Sequence, residues 1–134
     1  MKQLLSLEQA MQLVLSIGAL YYQPIHIAWW LWLPLFLSPD ISMIGYLVNP
    51  PVGAWAYNLA HHKAMAGVGI AAGLVFHLPV VLFIGLLLWA HSSFDRMLGY
   101  GLKYEDSFQH THLGLIGKNN GKAQTPQHIP TTPQ

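Results

Sequence analysis

His91 and Asp95 stand four residues apart at the end of an apolar run, Val80 to Ala90. On a helix, that spacing puts the imidazole and the carboxylate one turn apart on one face. Two such side chains can hold one ion, or one proton, between them. The segment continues through Arg96 and ends in Gly99-Tyr100-Gly101, where glycine releases the chain from the helix. Other residues with the same chemistry lie far away in the chain: Asp40 after Pro39, His61 after Tyr57-Asn58, and His112 after Thr111. Histidine and aspartate without thiolates suit a divalent metal such as zinc, manganese or iron.

The elements that must bring these residues together are apolar helices. The chain has 134 residues, of which 53% are hydrophobic and only 8% charged. Soluble domains carry about 25% charged residues, so the composition is that of a protein whose main partner is the lipid bilayer. The net charge of +1 argues against a nucleic-acid partner. With no cysteine, disulfides, thiolate metal sites and cysteine-attached haem are excluded.

The expected fold is all-α: a polytopic, four-helix transmembrane bundle over residues 1–117, followed by a disordered polar tail at 118–134. Ser6 to Gln9 fits a capping box, starting a first helix that ends near Tyr22. At about 16 residues it is short for a bilayer core of about 30 Å. His26 to Ser38 is a second segment, also short, stopped by Pro39-Asp40. Asn49-Pro50-Pro51 starts a third helix that runs to about Phe76, with Gly and Ala in its second half for close packing. Leu78 to Leu98 is the fourth. The N-terminus reads as a retained helix, since no small-residue cleavage site follows it. Tyr21, Tyr22, Trp29 and Trp30 form an interfacial belt. Lys118 to Gln134 is rich in Pro, Thr, Gln and Asn and has little to bury.

Lys2 precedes the first helix, and Lys103, Lys118 and Lys122 follow the fourth. By the positive-inside tendency both termini are cytoplasmic and the number of passes is even, most simply four. Counting from the turn at His77 then puts His61 level with Asp95, and His91 about one turn deeper. Asp40, Asn58, His61, His91, Asp95 and Arg96 meet in one cytoplasm-facing pocket, while His26 and His77 fall at the opposite surface. Ionisable groups in a membrane are costly unless paired or facing a cavity.

Five residues are the expected metal ligands: Asp40, His61, His91, Asp95 and His112. Tyr46, Tyr57, Asn58, Arg96 and Lys103 are expected to support them or to contact substrate, with Arg96 pairing with Asp95 or Asp40, and Arg96 or Lys103 holding an anionic group.

Three stretches carry a family resemblance: Ser38 to Tyr46 (SPDISMIGY), Val52 to His61 (VGAWAYNLAH) and His91 to Tyr104 (HSSFDRMLGYGLKY), the last continuing to Thr111-His112-Leu113-Gly114. Together they resemble the bacterial integral-membrane family catalogued as domain-of-unknown-function family 4260, over about Leu4 to Gly117. The resemblance implies a small multi-helix membrane protein and no particular activity. A looser similarity, in Pro39-Asp40, His91 with Asp95, and Thr111-His112, is to membrane-bound metal-dependent hydrolases, with the motifs in a different order.

Three functions follow from these residues. The first is a metal-dependent hydrolase on a lipid-like or phosphoester substrate. The second is a non-enzymatic membrane protein in which the polar cluster only fixes helix packing. The third is b-type haem binding with His61 and His91 as axial ligands. A homo-oligomer is compatible with all three, and a transporter of this size would require one.

Overall fold

The computed structural model describes residues 1–116; the tail expected at 118–134 lies outside them. Five α-helices follow in order: α1 (Lys2–Tyr21), α2 (Trp32–Leu37), α3 (Pro50–His61), α4 (Lys63–Val75) and α5 (Pro79–Met97). A 3-10 turn, Trp29–Leu31, precedes α2, and a 3-10 stretch, Ser38–Leu47, follows it. After α5 come two short antiparallel strands, β1 (His110–Thr111) and β2 (Gly114–Leu115).

The long central element is α5, and α1 and α4 pack antiparallel along it. Leu20, near the end of α1, joins Phe83, Leu86, Leu87 and Ala90 of α5 in the apolar core. Against α4 the contact is between backbones. A Cβ on Gly85 would lie 2.6 Å from the Ile70 nitrogen, and one on Gly73 2.5 Å from the Leu82 nitrogen. Small residues here let the two helices approach closely. At the near end, Lys63 Nζ donates to the side-chain oxygens of Gln9 and Gln12, tying α4 to α1.

Three expected elements differ. First, α1 begins at Lys2 rather than after Ser6 and has 20 residues, about 30 Å at 1.5 Å per residue. Ser6 lies inside it, so no capping box forms there, and Gln9 binds Lys63 instead. Second, the segment from His26 to Ser38 is not one helix. Pro24, Pro34 and Pro39 remove backbone donors over a short distance, and the chain moves from irregular to 3-10 to a six-residue α-helix. It still runs along α5 from one end to the other, with Trp32 on Phe83 (ring centroids 5.8 Å apart) and Phe36 on His91 (5.3 Å). Third, the helix expected from Pro51 to Phe76 is broken at His62. That residue is extended (φ −82°, ψ 112°), and its Nδ1 accepts the Ala64 N–H at 3.2 Å, capping α4. The expected start at Asn49 and Pro50 is present, with the Asn49 side chain accepting the Val52 N–H at 2.9 Å.

Two helical stretches, Gln3–Tyr21 and Pro79–Met97, are long and apolar enough to cross a membrane. The other elements gather at the C-terminal end of α5, where α3 faces the chain that follows Gly99. There Asn58 Nδ2 donates to the Lys103 carbonyl and Asn58 Oδ1 accepts the Lys103 N–H, both at 2.7 Å.

Candidate metal centre

Four side chains from three elements converge at this end: Asp40 from the 3-10 stretch, His61 from the last turn of α3, and His91 and Asp95 from α5. One ligand atom from each lies within 4.8 Å of all the others. His61 Nε2 is 3.1 Å from His91 Nε2. It is 3.4 Å from Asp40 Oδ1 and 3.4 Å from Asp95 Oδ2. His91 Nε2 is 3.3 Å from Asp40 Oδ1 and 3.8 Å from Asp95 Oδ1.

The other ring nitrogens decide what these atoms are. His61 Nδ1 is 2.8 Å from the Tyr57 carbonyl, and His91 Nδ1 is 2.7 Å from the Phe36 carbonyl. A carbonyl only accepts, so each Nδ1 carries the proton and donates it. In a neutral ring the Nε2 is then a lone pair. Both lone pairs point at each other and at two carboxylates, with no donor between them. A proton on one ring would satisfy two of these contacts; a cation in the middle satisfies all four. Histidine metal ligands are commonly held in this way, by the ring nitrogen that does not bind the metal. Bonds of about 2.0–2.1 Å in a tetrahedron give ligand–ligand edges of roughly 3.3–3.4 Å. The His61–His91, His61–Asp40, His61–Asp95 and His91–Asp40 spacings of 3.1–3.4 Å lie close to this, and His91–Asp95 is longer at 3.8 Å.

His61 and His91 are almost wholly buried, and burial pushes the His61 ring below the ordinary histidine range, which favours its neutral form. Tyr57 supports both sides of the cluster. Its hydroxyl donates to Asp95 Oδ2 at 2.7 Å, and its ring stacks on His61 at 3.8 Å. Burial, then the neighbouring Asp95, pushes the phenol well above its ordinary value, so it stays a donor. Access comes past Asp40, whose side chain is 35% exposed, against 14% for Asp95.

Of the five expected ligands, four are brought together and His112 is not. Its Nδ1 accepts the Leu102 N–H at 2.8 Å, and its ring lies where a Cβ on Gly101 would be. The expected pairing of Arg96 with Asp95 or Asp40 is also absent: among the described residues every ion pair of these acids is with a histidine. Lys103 was expected to hold an anion. It is buried instead, its Nζ donating to the Phe108 carbonyl at 3.0 Å and lying 4.9 Å from the centre of the Tyr57 ring. Asn58 holds the Lys103 main chain and so positions the segment behind Tyr57. Tyr46 packs its ring against Gly53 and Phe108, and its buried hydroxyl has no hydrogen-bond partner among the described residues. One partner that no side-chain pattern signals is the Phe36 carbonyl, a main-chain group.

The axial-haem arrangement does not fit. Two axial nitrogens on opposite faces of a haem stand on the order of 4 Å apart with a planar macrocycle between them. The two Nε2 atoms are 3.1 Å apart with the carboxylates beside them, which leaves no slot.

Fold and site together define a helical protein with a buried His/Asp cluster able to hold a metal ion, and with two helices able to span a membrane. The chain belongs to the domain-of-unknown-function family DUF4260, whose profile matches residues 2–116. No curated protein and no solved structure matches it.

Proposed function

We propose that this is a four-pass protein of the bacterial inner membrane, with both termini on the cytoplasmic side, and that it uses one divalent metal at Asp40, His61, His91 and Asp95 to hydrolyse an ester or phosphoester. The observation that carries the metal is the Nδ1–H tautomer of both histidines, held by the Tyr57 and Phe36 carbonyls, which turns two ring lone pairs toward each other and toward two carboxylates. Two imidazole nitrogens and two carboxylate oxygens without a thiolate suit zinc, manganese or iron.

The membrane reading is supported by the outer face of α1, where Leu4, Leu7, Met11, Val14 and Leu15 are all exposed. Such a face is at home against lipid and not in water. Tyr21, Tyr22, Trp29 and Trp30 are exposed at the end away from the metal site, where an aromatic belt would lie. On this reading α3 and the β strands cap the cytoplasmic end.

The hydrolytic reading is supported by the opening at Asp40, which gives water and a polar substrate a way in from the cytoplasmic face. A divalent cation there supplies Lewis acidity and acidifies coordinated water. This chain's own residues hold the ion, orient both rings through the Tyr57 and Phe36 carbonyls, and fix Asp95 through the Tyr57 hydroxyl. A cluster that served packing alone would leave its lone pairs opposed in a buried site, which is costly.

The test is hydrolysis by metal-depleted protein reloaded with Zn²⁺, Mn²⁺ or Fe²⁺ in neutral detergent, on p-nitrophenyl phosphate, its diester and p-nitrophenyl butyrate. Turnover that returns with one metal and is lost in Asp95→Ala supports the reading. Metal-loaded wild type no faster than Asp95→Ala on every substrate would show that the centre is structural.

A further inference from the structure

A second feature lies between the start of α1 and the end of α5. It is a cleft of about 760 Å³, with Arg96, Leu98 and Gly99 on one side, Leu5 and Gln9 on another, and Leu113 on the segment after α5. Among the described residues no aspartate or glutamate lines it. Arg96 is half-buried, and among the described residues it takes part in no ion pair. Gln9 on the cleft wall takes the Lys63 ammonium, so a second cation stands behind the first. Glu8 of α1 lies nearby, and its carboxylate accepts from Gln12 at 3.1 Å. The remaining walls are mixed: Gln3, Ser6, Tyr100 and His112 are polar, while Leu5, Leu98 and Leu113 are each more than 40% exposed.

A half-buried guanidinium paired with no acid among the described residues is a site for an anion. Its planar fork suits the oxygens of a phosphate. The exposed leucines beside it suit hydrocarbon, and the cleft lies at the end of the two helices able to cross a membrane, which the membrane reading puts at headgroup level. We infer that this cleft binds a phosphate-bearing lipid, with Arg96 paired to the phosphate and Leu5, Leu98 and Leu113 against its chains. This rests on the membrane reading of α1 and α5 and not on the metal centre.

The test is calorimetric titration of the purified full chain, treated with chelator, in a neutral maltoside detergent. The probes are dioctanoyl phosphatidic acid, dioctanoylglycerol and inorganic phosphate. The expected result is saturable binding of the phosphatidic acid, at least tenfold weaker in Arg96→Gln and within threefold of wild type in Arg96→Lys. Dioctanoylglycerol, which lacks the phosphate, and inorganic phosphate, which lacks the chains, bind at least tenfold more weakly to wild type. Equal binding by Arg96→Gln with an unchanged circular-dichroism spectrum overturns the proposal, as does absence of binding to wild type. Dioctanoylglycerol binding as tightly reduces the site to an apolar groove, and phosphate binding as tightly reduces it to an ion site; either overturns the lipid assignment. Because the protein is metal-free, failure of the hydrolase reading leaves this result unaffected.

Discussion

His61 Nε2 and His91 Nε2 face each other at 3.1 Å across 30 residues of chain. The break at His62 makes this contact possible. It ends α3 at His61 and starts α4 in a new direction, so α4 can lie along α5 while the His61 ring turns in toward it. An unbroken helix would have to satisfy both demands with one axis.

Tyr57→Phe tests how the cluster is held. It removes the hydroxyl that donates to Asp95 at 2.7 Å and keeps the ring stacked on His61. Losing a hydrogen bond to a metal ligand typically costs 10–100-fold in affinity. The expected result is zinc affinity about tenfold weaker with an unchanged melting temperature of the metal-free protein. Competition against a zinc chelator measures it, and an unchanged affinity would remove Tyr57 from the account.

Gly85→Ala tests the scaffold. The added Cβ would sit 2.6 Å from the Ile70 nitrogen and 2.9 Å from the Gly69 carbonyl carbon. Backbone atoms of a packed helix cannot step aside, so α4 and α5 must separate. The expected loss is about 1–3 kcal/mol, read as a lower melting temperature in detergent. Gly18→Ala is the control, since nothing lies within 4 Å of that position.

The convergence was legible in the sequence because it depends on counting. The turn at His77, the rise per residue and the i, i+4 spacing put His61 level with Asp95, and Pro39 placed Asp40 at the same end. Helix breaks were not legible. His62 carries no glycine or proline signal, and its capping role depends on the Ala64 N–H being free. The second segment looked helical because it is apolar, but its prolines withdraw the donors a helix needs. His112 lies beyond the last periodic element, where residue type gives no position. Arg96 was assigned to an acid on charge alone, yet the nearby carboxylates are taken by the two histidines and Tyr57.

Asn58→Ala removes both hydrogen bonds to the Lys103 main chain, each 2.7 Å long. Leaving a buried backbone donor and acceptor unmet costs about 1–3 kcal/mol. The segment after α5 should loosen before the helices do. Hydrogen exchange at the Lys103 amide is expected to speed up about tenfold or more, with exchange in the middle of α5 unchanged. Equal protection in both proteins would contradict the clamp.

Lys103 gives the protein a pH dependence. Burial lowers its ammonium to about 8 from an ordinary value near 10.5, against an opposite pull from Asp95 and Asp40. Between those values the unfolded chain holds more protons than the folded one, so stability rises with pH across that window. Below about pH 8 the folded lysine is charged and the penalty is full. Thermal melts of metal-free wild type from pH 7 to 10.5, beside Lys103→Met, read this as a rise that is steeper in wild type than in the variant, where Lys63, also lowered to about 8 by burial, still contributes. Parallel profiles would contradict it.

The most direct measurement is the metal content of the protein purified without chelators or metal-affinity resin, by elemental analysis beside His61→Ala and His91→Ala. The expected result is about one divalent ion per chain in wild type and less than a tenth of that in either variant. Wild type without bound metal, and unable to take up zinc, manganese or iron on dialysis, would contradict the metal centre.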